Sequence, residues 1–344
     1  MKKYFLTLIC SFTSLLSFSQ GNVKVESVHL IDGKVINFER ANVDSSRVVF
    51  TPEGDSLGVK IYLKRQESRD FLYSQVKFVV FYGNGLNLNR NTPEDLAKNP
   101  EGWRLEFPRF YQGKDVTFEI THSTDDYGIT YSLEWDGNKR ANRWTCYEFS
   151  AATPNNGVGR NEAWAVDQEI PSEYRTSRSD YSGYSRGHLC ASNDRQSSVE
   201  QNQQTFYYSN IQPQYQNHNG VQWARLEQKV QNWGNDRNFC DTLYVVKAAT
   251  IDKADQILSF HDSTTMTVPV PKYFYMCLLA VKDHQYKAIG FWTEHVNVAE
   301  NYAYSHYAKN IKEIEQLTGI DFFCNLPDDI EQDVEASFNI EEWK

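Results

Sequence analysis

The sequence has few of the residues that mark fibrous, disordered or disulfide-rich proteins. Among 344 residues there are only 10 prolines, 18 glycines and 6 cysteines, which excludes collagen-like and low-complexity classes. Basic residues are also outnumbered, and the formal net charge is −10. This balance argues against a protein that coats polyanions with a basic stripe, but it leaves room for a local basic cleft. Aromatic residues, in contrast, make up 14% of the chain and supply a sizeable core.

The N-terminus has the pattern of an export signal. Lys2 and Lys3 precede an apolar stretch over residues 4–18, and the small residues Ser17 and Ser19 fit a cleavage site. We therefore predict a signal peptide over residues 1–19 and export to the periplasm or beyond the cell, with the choice left open. A membrane anchor is disfavoured because the stretch is short and contains several hydroxyl residues. A lipid anchor on Cys10 is disfavoured because Ile9 stands where a small residue is expected.

Cysteine and histidine spacing gives little support to a zinc site. After removal of the signal peptide five cysteines remain, and no Cys-x-x-Cys occurs among them. An odd number leaves at least one thiol unpaired within the chain, and we expect mostly buried thiols with room for one bridge. No pair of histidines has the spacing of zinc ligands on a helix, which disfavours a zinc hydrolase. No later segment is apolar for long enough to span a membrane.

Residues 20–137 and 138–344 have different patterns. The first region contains short, often alternating β-branched and aromatic runs, and predicts a small β-rich accessory domain with a possible sandwich form. The second region mixes strands and helices. Central strands are predicted over residues 144–150, 241–247 and 273–281, and helices over residues 220–233 and 308–317. We therefore expect an α+β class. Gly234 is predicted to stop the first of these helices.

Three short motifs within about forty residues carry the chemistry of phosphodiester hydrolysis. They are Ser185-Arg-Gly-His188, Asn210-Ile-Gln-Pro-Gln214 and the run from Asn217 to Glu227. A neutral imidazole can deprotonate water. A hard divalent cation with oxygen ligands, together with an arginine fork, stabilises charge on the phosphate.

The spacing of these residues suits that chemistry. Arg186 and His188 alternate by two and so project from the same side of a strand, and Gly187 permits close backbone approach. Asn219 falls at the start of the predicted helix. Glu227 lies two turns further on, about 80° away in direction on an α-helix. A strand with histidine, a second strand and a helix with a metal ligand form a compact ββα-metal arrangement.

The order and spacing of these motifs resemble the DNA/RNA non-specific endonuclease family, which includes endonuclease G. That family has Asp-Arg-Gly-His, then Asn-x-x-Pro-Gln, then Asn-x-Gly-x-Trp-x-x-Leu-Glu. Here the matching residues are Arg186 to His188, Asn210 with Pro213 and Gln214, and Asn219 to Glu227, with the glycine one place earlier. The resemblance covers roughly residues 143–333. One departure is Ser185, which replaces the usual aspartate and puts the rate or the metal preference in question.

The resemblance implies a role for each of these residues. His188 would be the general base, and Asn219 would be the sole protein ligand of Mg²⁺, with Mn²⁺ as the alternative ion. Glu227 would orient a water on that ion, and Asn210 would support the geometry of the site. Arg186 would contact the phosphate. Arg160 stands where the family has another phosphate-binding arginine.

Two functions are consistent with the sequence. The first is a secreted, Mg²⁺-dependent endonuclease that cuts DNA and RNA without sugar specificity and leaves 5′-phosphate ends. The second is a non-catalytic surface protein of the same fold, whose β-rich domain binds a glycan or a protein partner. The sequence leaves open the preference between DNA and RNA, and the oligomeric state.

Overall fold

The computed structural model describes most of the chain. The main described ranges are residues 87–262, 267–283, 285–299 and 302–344. Nearer the N-terminus the structure describes the segments 7–8, 24–38, 43–50, 56–63, 68–72 and 74–82. The predicted signal peptide, 1–19, lies outside the described residues except for Thr7 and Leu8. The chain forms two compact units, one of residues 1–88 with 326–330 and the other of residues 89–325 with 331–344.

The described strands of the first unit form two sheets. One sheet has the order β1-β7-β2-β3 and the other the order β4-β5-β6. The strands are β1 (Thr7–Leu8), β2 (Lys24–Leu30), β3 (Val35–Asn37), β4 (Val43–Phe50), β5 (Ser56–Leu63), β6 (Ser68–Leu72) and β7 (Ser74–Tyr82). All pairs are antiparallel except β1 with β7. The β-rich character predicted for this part of the chain is therefore present.

A seven-stranded antiparallel sheet forms the centre of the second unit. Its order is β18-β17-β16-β13-β10-β9-β8. These strands are β8 (Thr117–Thr124), β9 (Gly128–Asp136), β10 (Ala141–Phe149), β13 (Thr242–Ala249), β16 (Tyr273–Lys282), β17 (Gln285–Glu294) and β18 (Ala308–Lys309). Two separate ribbons pair β11 (Ser185–His188) with β12 (Ile211–Gln214), and β14 (Ile257–Asp262) with β15 (Thr267–Pro271). The α+β class is confirmed.

Five α-helices accompany the strands in the described part of the chain. They are α1 (Pro93–Lys98), α2 (Val199–Gln204), α3 (Ala224–Asn235), α4 (Ile311–Thr318) and α5 (Asp328–Ala336). A π-helical turn, His218–Trp223, leads directly into α3. The helical segment begins at residue 216, four residues before the predicted start at 220, and ends at Asn235, two residues after the predicted end. None of the helices described here has the length and apolar character needed to cross a membrane.

The boundary between the two parts of the chain lies at a different place from the predicted one. The division predicted at residues 137 and 138 lies in the turn between β9 and β10, which are hydrogen-bonded neighbours. The compact units instead divide near Leu88. Strands β8 and β9 belong with the second unit because their backbone groups pair into the same sheet as β10.

The core of the second unit lies between this sheet and α3. Trp223, Leu226, Val230 and Trp233 recur along the helix and are all buried, as their spacing predicts. They pack with sheet residues such as Phe149. The cysteines of the described residues are all buried and unpaired, namely Cys146, Cys190, Cys240, Cys277 and Cys324.

Gly234 has a different role from the one predicted. It lies inside α3, which ends at Asn235, so it does not stop the helix. A Cβ atom placed on Gly234 would lie 2.9 Å from the Cβ atom of Phe149 on β10. Real Cβ atoms do not approach so closely, and the glycine is therefore what allows α3 to lie against the sheet.

Substitution Gly234→Ala should destabilise the protein even though alanine favours helices. We expect the free energy of unfolding to fall by about 1–3 kcal/mol, because the added methyl group overpacks the contact with Phe149. Urea unfolding followed by circular dichroism measures this. Gly220→Ala is the matched control, since a Cβ there would lie 3.7 Å from Gln216 Nε2, an ordinary contact. Equal effects of the two substitutions would contradict the packing explanation.

Candidate active site

The ribbon of β11 and β12 carries the first two motifs. His188 lies opposite Ile211 and Arg186 opposite Pro213. Between them, the buried Gly187 lies under the side chain of Gln214, and a Cβ atom at position 187 would be 2.9 Å from the Cβ atom of Gln214. The close backbone approach expected at Gly187 is therefore present. Because Arg186 and His188 are two residues apart on one strand, their side chains leave the ribbon on the same side.

Asn210 connects the two strands at the end of this ribbon. Its Nδ2 donates to the carbonyl oxygens of Cys190 and Thr205, each at 2.8 Å, and its Oδ1 accepts from the Cys190 amide at 2.8 Å. The side chain is fully buried. These bonds use its amide group on the backbone, so Asn210 is placed to hold the site in shape rather than to contact a ligand.

The His188 ring lies against two aromatic side chains. Its centroid is 5.3 Å from that of Trp164 and 5.1 Å from that of Phe206. Burial, followed by the positive charge of Arg160, lowers the pKa of His188 to about 3. The ring is hydrogen-bonded to the backbone of Arg186, and its Nε2 atom is buried without a hydrogen-bond partner among the described residues. The imidazole is thus neutral with one nitrogen available.

Two arginines lie beside this ring. The guanidinium carbon of Arg186 is 3.8 Å from the centroid of Trp164, and that of Arg160 is 4.8 Å from the centroid of Phe206. Arg186 Nη1 has no hydrogen-bond partner within the described part of the chain. Arg160 is half-exposed and paired through Nε with Glu162 at 3.1 Å. Both cations therefore flank the aromatic pair that contacts His188.

The helix supplies the third motif. Asn219 is the second residue of the π-helical turn and is half-buried. In a π turn the hydrogen bonds run from residue i to residue i+5, so one turn contains more residues than a turn of α-helix. The rotation about the helix axis from one residue to the next is therefore smaller than in an α-helix. The angle between Asn219 and Glu227 is therefore smaller than the 80° expected for an α-helix, and the two side chains share a face more closely. Trp223, between them, donates from Nε1 to the His188 carbonyl oxygen at 3.3 Å and joins the helix to β11.

A buried ion cluster holds Glu227 in place. Lys247 on β13 is fully buried, and its Nζ lies 3.0 Å from Asp194 Oδ2 and 3.5 Å from Glu227 Oε1. Asp194 Oδ2 also accepts a hydrogen bond from the Tyr147 hydroxyl. Burial raises the pKa of Glu227 to about 7, and the charge of Lys247 opposes that rise. Burial alone would lower the pKa of Lys247, but the two carboxylates raise it overall.

The site contains two polar atoms with unused bonding capacity. His188 Nε2 and Arg186 Nη1 are buried, and neither has a hydrogen-bond partner among the described residues. Glu227 Oε1 differs from them because it faces the Lys247 ammonium at 3.5 Å. Buried polar groups are normally paired, and an exception calls for an explanation such as catalysis or a bound ion. An imidazole nitrogen and a guanidinium left unused in this way fit a site that takes up an anionic substrate and water.

Ser185, which departs from the family pattern, also has a defined contact. Its Oγ donates to Gln216 Oε1 at 2.6 Å, so no carboxylate precedes Arg186 here. The sequence did not single out Lys247, Asp194 or Trp164. The sequence contained one signal for the buried cluster, namely a lysine within the mostly apolar strand Thr242–Ala249. A lysine buried in such a strand requires an acidic partner. The positions of Asp194 and Trp164 follow only from the tertiary contacts.

The fold and the site together define a ββα-metal type of nuclease centre. A family model for DNA/RNA non-specific endonucleases matches residues 115–329, which is most of the second unit. The chain belongs to the DNA/RNA non-specific endonuclease family. The match begins at the start of β8, earlier than the resemblance in the sequence suggested, because β8 and β9 are part of the large sheet.

Similar proteins agree with this membership. The mitochondrial nuclease EXOG of Danio rerio is 26% identical over 204 residues, which cover 56% of this chain and 59% of the relative. A nuclease of Syncephalastrum racemosum is 28% identical over 211 residues, covering 57% and 66%. Human mitochondrial EXOG is 26% identical over 220 residues, covering 61% and 59%. The chain spans about three fifths of the length of these relatives.

One solved structure supports the fold. The crystal structure of the EndoG/EndoGI complex, described in its title as showing the mechanism of EndoG inhibition, aligns with a TM-score of 0.51 and 24% identity. The alignment covers 63% of this chain and 89% of that chain. The likeness establishes a shared ββα-metal fold. The roles assigned above to His188, Arg186, Glu227, Asn210, Asn219 and Arg160 stay predictions.

Substitution Lys247→Met tests the buried ion cluster. Removal of the ammonium leaves Asp194 and Glu227 buried without their cation, so we expect a loss of about 3–5 kcal/mol in the free energy of unfolding. Adding Asp194→Asn should recover part of this loss. The matched control is Lys282→Met, which removes a half-exposed lysine paired with Asp241 at 2.9 Å and should cost about 0–1 kcal/mol. Similar losses at both positions in urea unfolding would contradict the cluster's importance.

The protonation of His188 is open to a direct measurement. Because its pKa is lowered to about 3, its ring should stay neutral from about pH 8 to about pH 5, where an ordinary histidine gains a proton. Nitrogen NMR of histidine-labelled, metal-free protein measures this, with His188→Gln used to assign the signals. A titration midpoint near pH 6.5 would show that the ring is more hydrated than the structure indicates.

Proposed function

We propose that the protein is an exported, Mg²⁺-dependent endonuclease that hydrolyses phosphodiester bonds of DNA and RNA to 5′-phosphate ends, with His188 as general base. The observation that carries this proposal is the buried, unpartnered Nε2 of a neutral imidazole beside two arginines. Family membership supports the reaction class. The charged start and apolar run of residues 2–18 support export, although several relatives are named as mitochondrial.

The oxygen donors on the helix suit a hard cation such as Mg²⁺. Asn219 offers an amide oxygen in the first turn, and Glu227 offers a partly buried carboxylate, one oxygen of which faces Lys247 at 3.5 Å. Hard divalent cations prefer such ligands, and Mg²⁺ is typically held by few protein groups. Asn219 would hold the ion directly. When bound, the ion supplies positive charge beside the phosphate and the departing sugar oxygen.

The chain's own residues account for the remaining chemistry. Neutral His188 accepts a proton from water at Nε2 as the water attacks phosphorus. The bond from phosphorus to the 3′ oxygen breaks, and that oxygen takes a proton from solvent, which leaves a 3′-hydroxyl and a 5′-phosphate. The Arg186 and Arg160 forks bind the phosphate oxygens and stabilise the charge that develops on them. Glu227 would accept a hydrogen bond from a water on the ion and fix its direction. Asn210 and Trp223 keep the ribbon and the helix in register, so that these groups converge. Contacts of this kind go to phosphates and so select little sequence.

Substitution His188→Ala should abolish cleavage while the fold is retained. With a supercoiled plasmid and Mg²⁺, we expect a rate about 10²–10⁴-fold below that of the unaltered protein, since the general base is lost. His306→Ala, at an exposed histidine, is the matched control and should cut at the original rate. Addition of EDTA should stop cleavage by both active forms. The rate is measured from the loss of supercoiled DNA on agarose gels.

Two results would contradict this proposal. Cleavage by His188→Ala at the original rate would show that another group acts as the base. Absence of cleavage by the unaltered protein with Mg²⁺ and with Mn²⁺ would instead favour the non-catalytic surface protein.

A further inference from the structure

A groove of about 550 Å³ opens beside β11 in the second unit. One end is cationic and the other aromatic. The residues that matter here are Arg160, Trp164, Tyr184, Arg186, Tyr215 and Gln216. The groove has room for one or two nucleotide units, but it is much too small to enclose a duplex.

The cationic end joins the groove to the candidate active site. Arg186 lines the groove, and its Nη1 has no hydrogen-bond partner in the part of the chain that the structure describes. Its guanidinium carbon lies over the Trp164 ring, 3.8 Å from the centroid. Because Trp164 also contacts the His188 ring, Arg186 lies next to the proposed base and at the same time lines the groove.

The aromatic end is formed by Tyr184 and Tyr215. Their ring centroids are 5.6 Å apart with an angle of 36° between the planes. Tyr184 directly precedes the first motif, and Tyr215 directly follows β12, so the ribbon fixes both rings relative to Arg186. Both side chains are only partly buried.

Tyr215 is braced from behind. Its ring stacks on that of His295 with centroids 4.3 Å apart, and its backbone amide donates to His295 Nε2 at 2.6 Å. His295 is itself buried, and its Nδ1 donates to the Pro271 carbonyl oxygen at 2.7 Å. A ring held in this way loses little conformational freedom when a ligand packs against the pair of tyrosines.

We propose that this groove binds a nucleotide next to the scissile phosphate, with its phosphate on Arg186 and its base against Tyr184 and Tyr215. The proposal rests on the function proposed above and adds a subsite for a base. Stacking on tyrosine is insensitive to base identity, since every base has a π-face. A base reaches these rings only when it is free of its neighbours, so single-stranded or unpaired nucleic acid binds in preference to an intact duplex.

Binding of short oligonucleotides tests the subsite without cleavage. The full chain carrying His188→Ala is titrated, in EDTA, into fluorescein-labelled octamers, and fluorescence anisotropy gives the Kd. The probes are an octamer of thymidine, an octamer with the same phosphates but abasic sugars, and a duplex octamer. We expect the thymidine octamer to bind about 10-fold more tightly than either of the others.

Substitution at Tyr184 assigns the effect to the groove. In the same background, Tyr184→Leu should weaken binding of the thymidine octamer about 10-fold and leave the abasic octamer unchanged. Tyr184→Phe keeps the ring and should bind like the parent. Circular dichroism checks that each variant is folded. The comparison of Kd values for the thymidine and abasic octamers on the His188→Ala chain tests the subsite even if a Tyr184 variant fails to fold, because it requires no substitution in the groove.

The outcomes separate the subsite from the nuclease function. Equal Kd values for thymidine and abasic octamers on the parent overturn the subsite, as does an equal loss for both octamers in Tyr184→Leu. If plasmid cleavage by the unaltered protein is observed at the same time, the proposed function stands without the subsite. If no nucleic acid binds and no plasmid is cut, both are wrong.

Discussion

The arrangement of the site depends on one buried ammonium group. Lys247 lies in the large sheet, Asp194 in the segment after β11, and Glu227 on α3; Lys247 and Asp194 are fully buried, and Glu227 is 18% exposed. An unpaired charge in such a place is strongly unfavourable, so each partner restricts where the others can lie. The Tyr147 hydroxyl adds a further bond to Asp194. The position of the Glu227 carboxylate is thereby set by the core and not by the helix alone.

Aromatic packing fixes the positions of the side chains in the half of the site that contains His188. Trp164 and Phe206 pack against the half-buried His188 ring and, at the same time, provide faces for Arg186 and Arg160. Dehydration and two nearby positive charges both disfavour protonation of the imidazole. The His188 ring is therefore kept neutral by the same aromatic contacts that hold Arg186 and Arg160. The unpartnered atoms of this site are a cost to stability that the surrounding core must offset.

Close packing at two glycines makes these contacts feasible. Gly187 allows the Gln214 side chain to cross the ribbon, and Gly234 allows α3 to lie directly against β10. Trp223 then reaches the carbonyl oxygen of His188 from the start of the same helix. The distance between helix and sheet thus determines whether the ribbon, which carries His188, and the helix, which carries Asn219 and Glu227, face a common space.

The sequence by itself determined the local elements and the family. Periodicity placed the strands around residues 144–150, 241–247 and 273–281 and the helix with Trp223 and Trp233, because hydrophobic spacing records which face is buried. The three motifs identified the residues that the ribbon and helix present. Tertiary structure decided three features that residue spacing does not encode. It assigned β8 and β9 to the large sheet, and it placed a π turn that brings Asn219 and Glu227 onto one face. It also paired Lys247 with Asp194 and Glu227, which lie 53 and 20 positions away in the sequence. These depend on contacts between distant segments, which form only when the whole core is assembled.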